Sequence, residues 1–468
     1  MSKISATKKY YISSKTNLIL ILISFFASLL LYALSPNYYS YPIVVAAFIL
    51  FIITAINFFA YRKNNNYFSF EFLFTVTFTF VYFLYPIFIY PINKHQYFMF
   101  SLGFNEDVIT KSTLLALIGY NFFIMGHLCK GNNSISLNVN KSQYIANILP
   151  TVISFIYSLI HLVIIATSKI QYYGTNPWMQ SGTFAYFGIL ANSIIIVAIA
   201  IEFHNLLLKG IIKKWWQHNL LLWIALALEI ASGVISGSRT FAIQIALMVF
   251  AGYAMLNKGI NLKQILLLIL CGLCCMRLIL VARSNGIFKF SFNMLDMGMD
   301  LIITNYTLYT GYDYVQSSGT IPFTLFGSLL SIVPFLQGAV VDALNIPIWE
   351  TSSARFFSYL AMGENPTFGV GTNIIASTYL ALGFWGTIFF MYLFGFFISY
   401  ISSNVNKSSI YHKILFLGMI GFSVYIVRSD YFYAISRLSY ALLFGMLVFG
   451  KFGKILIPAK RGDSNINK

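Results

Sequence analysis

The chain has 468 residues, 58% of them apolar and 9% charged, with a formal charge of +17. A soluble domain carries roughly a quarter charged residues, so this surface is excluded from water and finds its solvent in a bilayer. The positive balance does not mark a nucleic-acid binder, because the lysines lie in short loops between apolar runs rather than on one polar segment.

The first apolar run, 17–35, follows Lys3, Lys8, Lys9 and Lys15 and lacks a small-residue cleavage site, so it reads as a span rather than a cleaved signal. Further runs long enough to cross hydrocarbon centre at 41–61, 68–90, 110–128, 145–167, 183–207, 219–236, 240–257, 263–283, 373–401, 413–428 and 436–455. The expected fold is therefore an all-α polytopic membrane protein of about twelve transmembrane helices. Nine lie in 1–283 and three in 373–468, and a large extracytoplasmic loop occupies 284–372. Cys271, Cys274 and Cys275 fall inside one run with no His or Asp near enough to complete a metal or redox site. No disulfide, metal or cofactor is expected.

Orientation follows from the basic loops. Arg62–Lys63, Lys130–Lys141, Lys209–Lys214, Lys258–Lys263, Lys407–Lys413 and the tail after Lys451 share the side of the N-terminus. The positive-inside rule makes that side cytoplasmic and, with an even number of spans, puts both termini there. The turn from Ser236 to Thr240 must reverse the chain for this pattern to hold. The outer loop holds six of the thirteen acids: Asp296, Asp300, Asp313, Asp342, Glu350 and Glu364. Its apolar stretch 321–341, interrupted by Pro322 and Pro334, reads as a helix lying on or dipping into the membrane surface. Counting it as a span would put Glu350 and Arg355 on the wrong side of the next helix.

Lysine and arginine part company in this topology. Of 22 lysines only Lys94, Lys111, Lys169 and Lys289 fall outside, whereas five of eight arginines sit at or beyond outer helix ends: Arg239, Arg283, Arg355, Arg428 and Arg437. Insertion treats both cations as positive, so the difference points to chemistry. The guanidinium is planar, permanently charged and bidentate toward phosphate oxygens. A lipid pyrophosphate is the anion expected at that depth; snorkelling to headgroups or pairing with outer acids is the structural alternative. Arg239 opens a helix after Ser-Gly-Ser, where free backbone N–H groups favour an anion. Arg428 and Arg437 flank Asp430, which either pairs with one of them or joins them in binding substrate. The neighbouring Tyr431, Phe432 and Tyr433 read as interface aromatics or as a platform for sugar rings. Glu364, in a Gly- and Pro-rich turn before the tenth span, is the expected general base for a sugar hydroxyl; a solvated loop acid is the alternative.

The run Ser236-Gly237-Ser238-Arg239-Thr240, Arg283 after the next span, and the Gly369-x-Gly371-Thr372 turn before a helix bearing Tyr379, Gly383 and Gly386 resemble the O-antigen polymerases, the Wzy-type oligosaccharide repeat unit polymerases. The resemblance covers roughly 230–450. It implies a GT-C-like helical fold and a plasma-membrane site. The implied reaction transfers a growing glycan from an undecaprenyl-pyrophosphate carrier to the next lipid-linked repeat unit. Arg239 and Arg283 match the family's outer-face arginines; Arg355, Arg428, Arg437 and Asp430 are added from the residues alone. Membrane lipids are partners, and a chain-length regulator and a flippase are candidate partners. Related ligases carry a functional His in the large outer loop, and none of the six histidines lies in 284–372. A ligase-like glycosyltransferase and a flippase or transporter are the rival functions, and the long outer loop speaks against the second.

Overall fold

The computed structural model of the chain describes residues 14–62, 66–129, 148–168, 183–209, 219–236, 239–256, 259–283, 293–405 and 409–449. Most of the lysine-bearing loops, the turn 237–238 and residues 284–292 lie outside these. The regular structure among the described residues is helical throughout.

The first nine helices are α1 (Ser14–Leu34), α2 (Tyr41–Arg62), α3 (Phe70–Tyr82), α4 (Ile109–Cys129), α5 (Ile148–Ser168), α6 (Thr183–Lys209), α7 (Leu220–Ser236), α8 (Arg239–Leu256) and α9 (Leu262–Arg283). A π turn at Tyr85–Ile89, carrying Pro86, lengthens α3. Five short helices follow: α10 (Met294–Met297), α11 (Met299–Ile302), α12 (Asn305–Ser318), α13 (Phe323–Leu330) and α14 (Leu336–Leu344). The chain closes with α15 (Ser353–Met362), α16 (Ile374–Asn404), α17 (Ile410–Phe422) and α18 (Tyr433–Phe449). Among the described residues eight helices are long and apolar enough to cross a membrane, and α7, α8, α17 and α18 are shorter apolar helices. These twelve coincide with the twelve runs of the sequence. A 3-10 turn at Ile426–Arg428 extends the chain beyond α17.

Helices α4 and α16 form a central contact. A Cβ at Gly126 would run into the Tyr392 carbonyl, and one at Gly395 into the Phe123 carbonyl, so only glycine lets the two backbones meet. Because Phe123 meets Gly395 while Gly119 meets Ile375 and Met391, the two helices run parallel. Parallel helices need an odd number of crossings between them, which α5 to α9 supply. Counting the apolar stretch 321–341 as a crossing would reverse α16.

That stretch forms two short helices where one, lying on or dipping into the surface, is expected. Pro334 ends α13, and Phe335 adopts a left-handed φ of 64° before α14. The apex is tied to α18: Tyr440 donates to the Ser331 carbonyl at 3.0 Å and Ser439 to that of Ile332 at 3.4 Å. Those partners lie about 10 Å along α18 from its start, so the hairpin dips beside the bundle and presents Val333 (51% exposed) and Phe335 (70% exposed) outward. By contrast α12 is mostly buried in the bundle. Tyr312 stacks on Tyr379 with ring centroids 5.1 Å apart, and its hydroxyl lies 3.0 Å from that of Tyr32 on α1.

The tenth run is two segments: Ile375 and Met391, eight residues before and after Gly383, both lie against Gly119, so 374–382 folds back beside the span. Within α16, Gly383 breaks the helix with φ 65° and ψ −158°, and the Leu380 carbonyl accepts from the Ile321 N–H at 2.9 Å. Residues 374–381 are buried. Residues 384–404, about 31 Å of helix, match the hydrocarbon thickness. Trp385, 77% exposed just past the break, marks the interface.

At the opposite end of the bundle a buried cluster joins four helices. Arg62 reaches Glu71 at 2.8 Å, His127 reaches its other oxygen at 2.8 Å, and Ser402 donates to it at 3.1 Å. A second buried pair, His161 and Glu229 at 2.9 Å, joins α5 to α7.

Candidate active site

The Gly-rich turn before α16 is fixed from both sides. Gly371 supplies a φ of 80°. Asn373 then caps α16, accepting from Ala376 N–H at 2.8 Å and from the Tyr82 hydroxyl at 2.9 Å. Its amide donates to the Thr304 carbonyl at 2.8 Å and to Thr307 at 3.0 Å. This buried network ties α3, α12 and α16 into one frame. Ser352 caps α15 by accepting from the Arg355 N–H.

On that frame Ser353 meets Asp430. Its Oγ is hydrogen-bonded to Asp430 Oδ1 and lies 3.0 Å from Thr372 Oγ1. Burial pushes the Asp430 carboxyl up to about 6, against the opposing pull of Ser353, Arg437 and Arg355. No ion pair between described residues includes Asp430. The aspartate therefore does not neutralise an arginine by direct contact; it sits among them, within electrostatic reach of Arg355 and Arg437.

The arginines are held by neutral groups. Arg355 donates from Nη1 to Thr351 at 2.8 Å, and burial lowers its pKa, partly offset by Asp430. Arg437 stacks 3.5 Å from the Tyr433 ring centroid and donates to the Tyr433 carbonyl at 3.3 Å. Arg428 lies 5.6 Å from the Tyr425 ring centroid, and its buried Nε has no hydrogen-bond partner. Arg355 and Arg437 thus both act on Asp430, and Arg428 lies over Tyr425 at the start of the same turn. Among the described residues none of the three has a carboxylate at ion-pair distance, an arrangement that can accept an anion with several oxygens.

Other expected residues fall elsewhere. Arg239 and Arg283 hold the first and last positions of α8 and α9, and their side chains lie outside the described part of the structure. Glu364 occupies an exposed turn just past α15. Ten residues of helix, about 15 Å, separate it from Ser353. Tyr431 is 4% exposed and packs on Phe390 with centroids 5.0 Å apart, so it offers no free face to a sugar. Asp300, one of the six loop acids, is buried. Thr372 closes the Gly-rich turn singled out in the sequence; Ser353 and Asn373 are not among the expected site residues, although Ser352-Ser353 and Asn373 stand where helix caps belong.

A family model described as O-antigen polysaccharide polymerase Wzy matches residues 16–457. No curated protein and no solved structure matches the chain.

Proposed function

Since the chain belongs to the O-antigen polysaccharide polymerase Wzy family, whose members polymerise lipid-linked repeat units in membranes, we propose that it does so on the outer face of the plasma membrane with undecaprenyl pyrophosphate as leaving group. The observation that supports this reading is Arg355 and Arg437 around Asp430, with Arg428 two residues before it, none of the three having an acid at ion-pair distance among the described residues. In this proposal both termini are cytoplasmic, the overall fold is GT-C-like, and Arg239 and Arg283 belong to the same site. Residues 1–283, 284–372 and 373–468 remain the working division, with the Gly383 break inside the last. A flippase that supplies substrate and a chain-length regulator are the partners proposed.

An acceptor hydroxyl attacks the anomeric carbon of the donor glycan. The bond from that carbon to the pyrophosphate oxygen breaks, and the bonding pair leaves with the lipid pyrophosphate. Guanidinium groups stabilise charge growing on the leaving oxygens more than charge in the ground state, which is where rate is gained. The hydroxyl proton passes to a carboxylate. Glu364 is the acceptor suggested by sequence, but Asp430 stands among the arginines, and a carboxyl raised to about 6 is matched to taking a proton near neutral pH. The geometry favours Asp430.

The test is elongation by the purified protein in lipid with undecaprenyl-pyrophosphate-linked repeat units as sole substrate. Longer lipid-linked glycans are the expected product. Translocation of substrate without any lengthening would assign the chain to transport instead.

A further inference from the structure

Helices α3, α7, α8 and α9 enclose an apolar cavity of about 440 Å³. Its lining runs along α9 from Ile265 to Ile279, fourteen residues and about 21 Å of helix. The cavity is therefore an elongated apolar slot along α9. The slot is open toward the bilayer. Val234 (47% exposed), Phe250 (38% exposed), Cys271 and Cys275 line it and are also exposed at the protein surface.

One end of the slot is distinguished by helix register. Ile243 lines it four residues after Arg239, and Ile279 lines it four residues before Arg283. Positions four apart share a helix face. The two arginine positions therefore stand one turn beyond the same end of the cavity, on the faces that line it. A chain moving from lipid into an apolar slot gains little from the hydrophobic effect, because both surroundings are apolar. Selection of one chain over the bulk acyl chains must then come from its head group. An elongated apolar slot, open to the bilayer and ending beneath two arginine positions, suits an amphiphile with an anionic head.

We propose that this cavity seats the polyisoprenoid tail of the lipid pyrophosphate substrate, with its head at the Arg239–Arg283 end. The assignment rests on the polymerase reading above. It also explains an open position on α9: a Cβ at Gly272 would meet nothing within 4 Å, since the slot passes over it.

The experiment uses the full chain in nanodiscs with two photoreactive probes, a polyprenyl pyrophosphate and a phosphatidylglycerol, each with a diazirine in its tail. The prenyl probe should label the α8 and α9 segments that line the slot, and unlabelled polyprenyl pyrophosphate should compete. Gly272→Phe, which places a ring in the slot, should reduce that labelling about ten-fold; Gly272→Leu serves if the Phe variant does not purify as a single species. Labelling by the phosphatidylglycerol probe alone, or prenyl labelling unchanged in Gly272→Phe, overturns the proposal. Elongation of lipid-linked repeat units is read in the same preparation. If the parent elongates glycans while slot labelling is absent, the tail assignment fails by itself. If the parent does not elongate at all, the polymerase reading and this inference fall together.

Discussion

Ser353, the first residue of α15, is hydrogen-bonded to Asp430, 77 positions later in the chain. The contact fastens the segment between α9 and α16 to the turn before α18 and holds a carboxylate within electrostatic reach of Arg355 and Arg437. With its pKa raised to about 6, Asp430 is a proton acceptor that acid switches off. The elongation rate should fall as pH drops through about 6. Asp430→Asn should lower it by about 10²–10⁴-fold and leave a residual rate that is flat between pH 5 and 7. An acid limb that persists in Asp430→Asn would place the titrating group elsewhere. The same shift carries a stability signature. The folded state binds this proton more tightly than the unfolded chain, so the stabilisation is complete below the ordinary carboxylate value and is lost as pH rises through about 6.

Arg239 opens α8 at one end of the apolar slot. If it grips pyrophosphate with two parallel hydrogen bonds, Arg239→Lys should elongate glycans almost as poorly as Arg239→Ala, because an ammonium cannot reproduce the fork. Parental activity in the lysine variant would reduce its role to charge or topology.

Glu364 provides the contrast to Asp430. It sits in an exposed turn a helix length from Ser353. Glu364→Gln should therefore lower kcat less than Asp430→Asn does. A loss of 10²-fold or more in Glu364→Gln, with Asp430→Asn near the parent, would reverse the assignment of the proton acceptor.

Gly383 adopts a φ of 65° that side chains other than glycine's rarely tolerate. Gly383→Ala should cost about 1–3 kcal/mol, visible as a lower unfolding temperature in detergent. An unchanged melting temperature would mean that α16 straightens without penalty and that the break is incidental.

The relative direction of α4 and α16 is a property of the fold, but the side each loop faces can be measured. In a chain with Cys129, Cys271, Cys274 and Cys275 replaced by serine, a cysteine at Ser318 should react with an impermeant thiol reagent on intact spheroplasts. One at Asn261 should not, because its loop is on the face of Arg62 and Glu71. Reaction at Asn261 alone would turn the whole chain over.

The twelve apolar helices were legible in the sequence because hydrocarbon imposes a length and a polarity on each of them. The places where reading failed are those where a protein surface replaces lipid as the solvent. Residues 374–381 are as apolar as a span, yet they are buried against α12 and not in lipid. Pro334 announced a break in 321–341, but the position of the resulting hairpin depends on Ser439 and Tyr440, more than a hundred residues away. The arginines at Arg355, Arg428 and Arg437 stood out by residue type alone. Their neutral partners did not, since Thr351 or Tyr433 beside an arginine is unremarked in a sequence and becomes informative only through distance.

The Arg62–Glu71 pair bears on how this chain enters a membrane. An unpaired carboxylate near the end of a spanning helix still disfavours insertion, though less than the roughly 2.5–3.5 kcal/mol of a residue at the centre. Here the compensating cation ends α2 and the acid begins α3, nine positions apart and 2.8 Å from one another. The two helices can therefore leave the translocon as a hairpin whose charges already cancel. His127 and Ser402 come from helices made later and add their hydrogen bonds to a carboxylate that is paired before they arrive. Arg62→Ala would then be felt during biogenesis, as poor integration and degradation of the nascent chain, rather than in turnover of the molecules that mature.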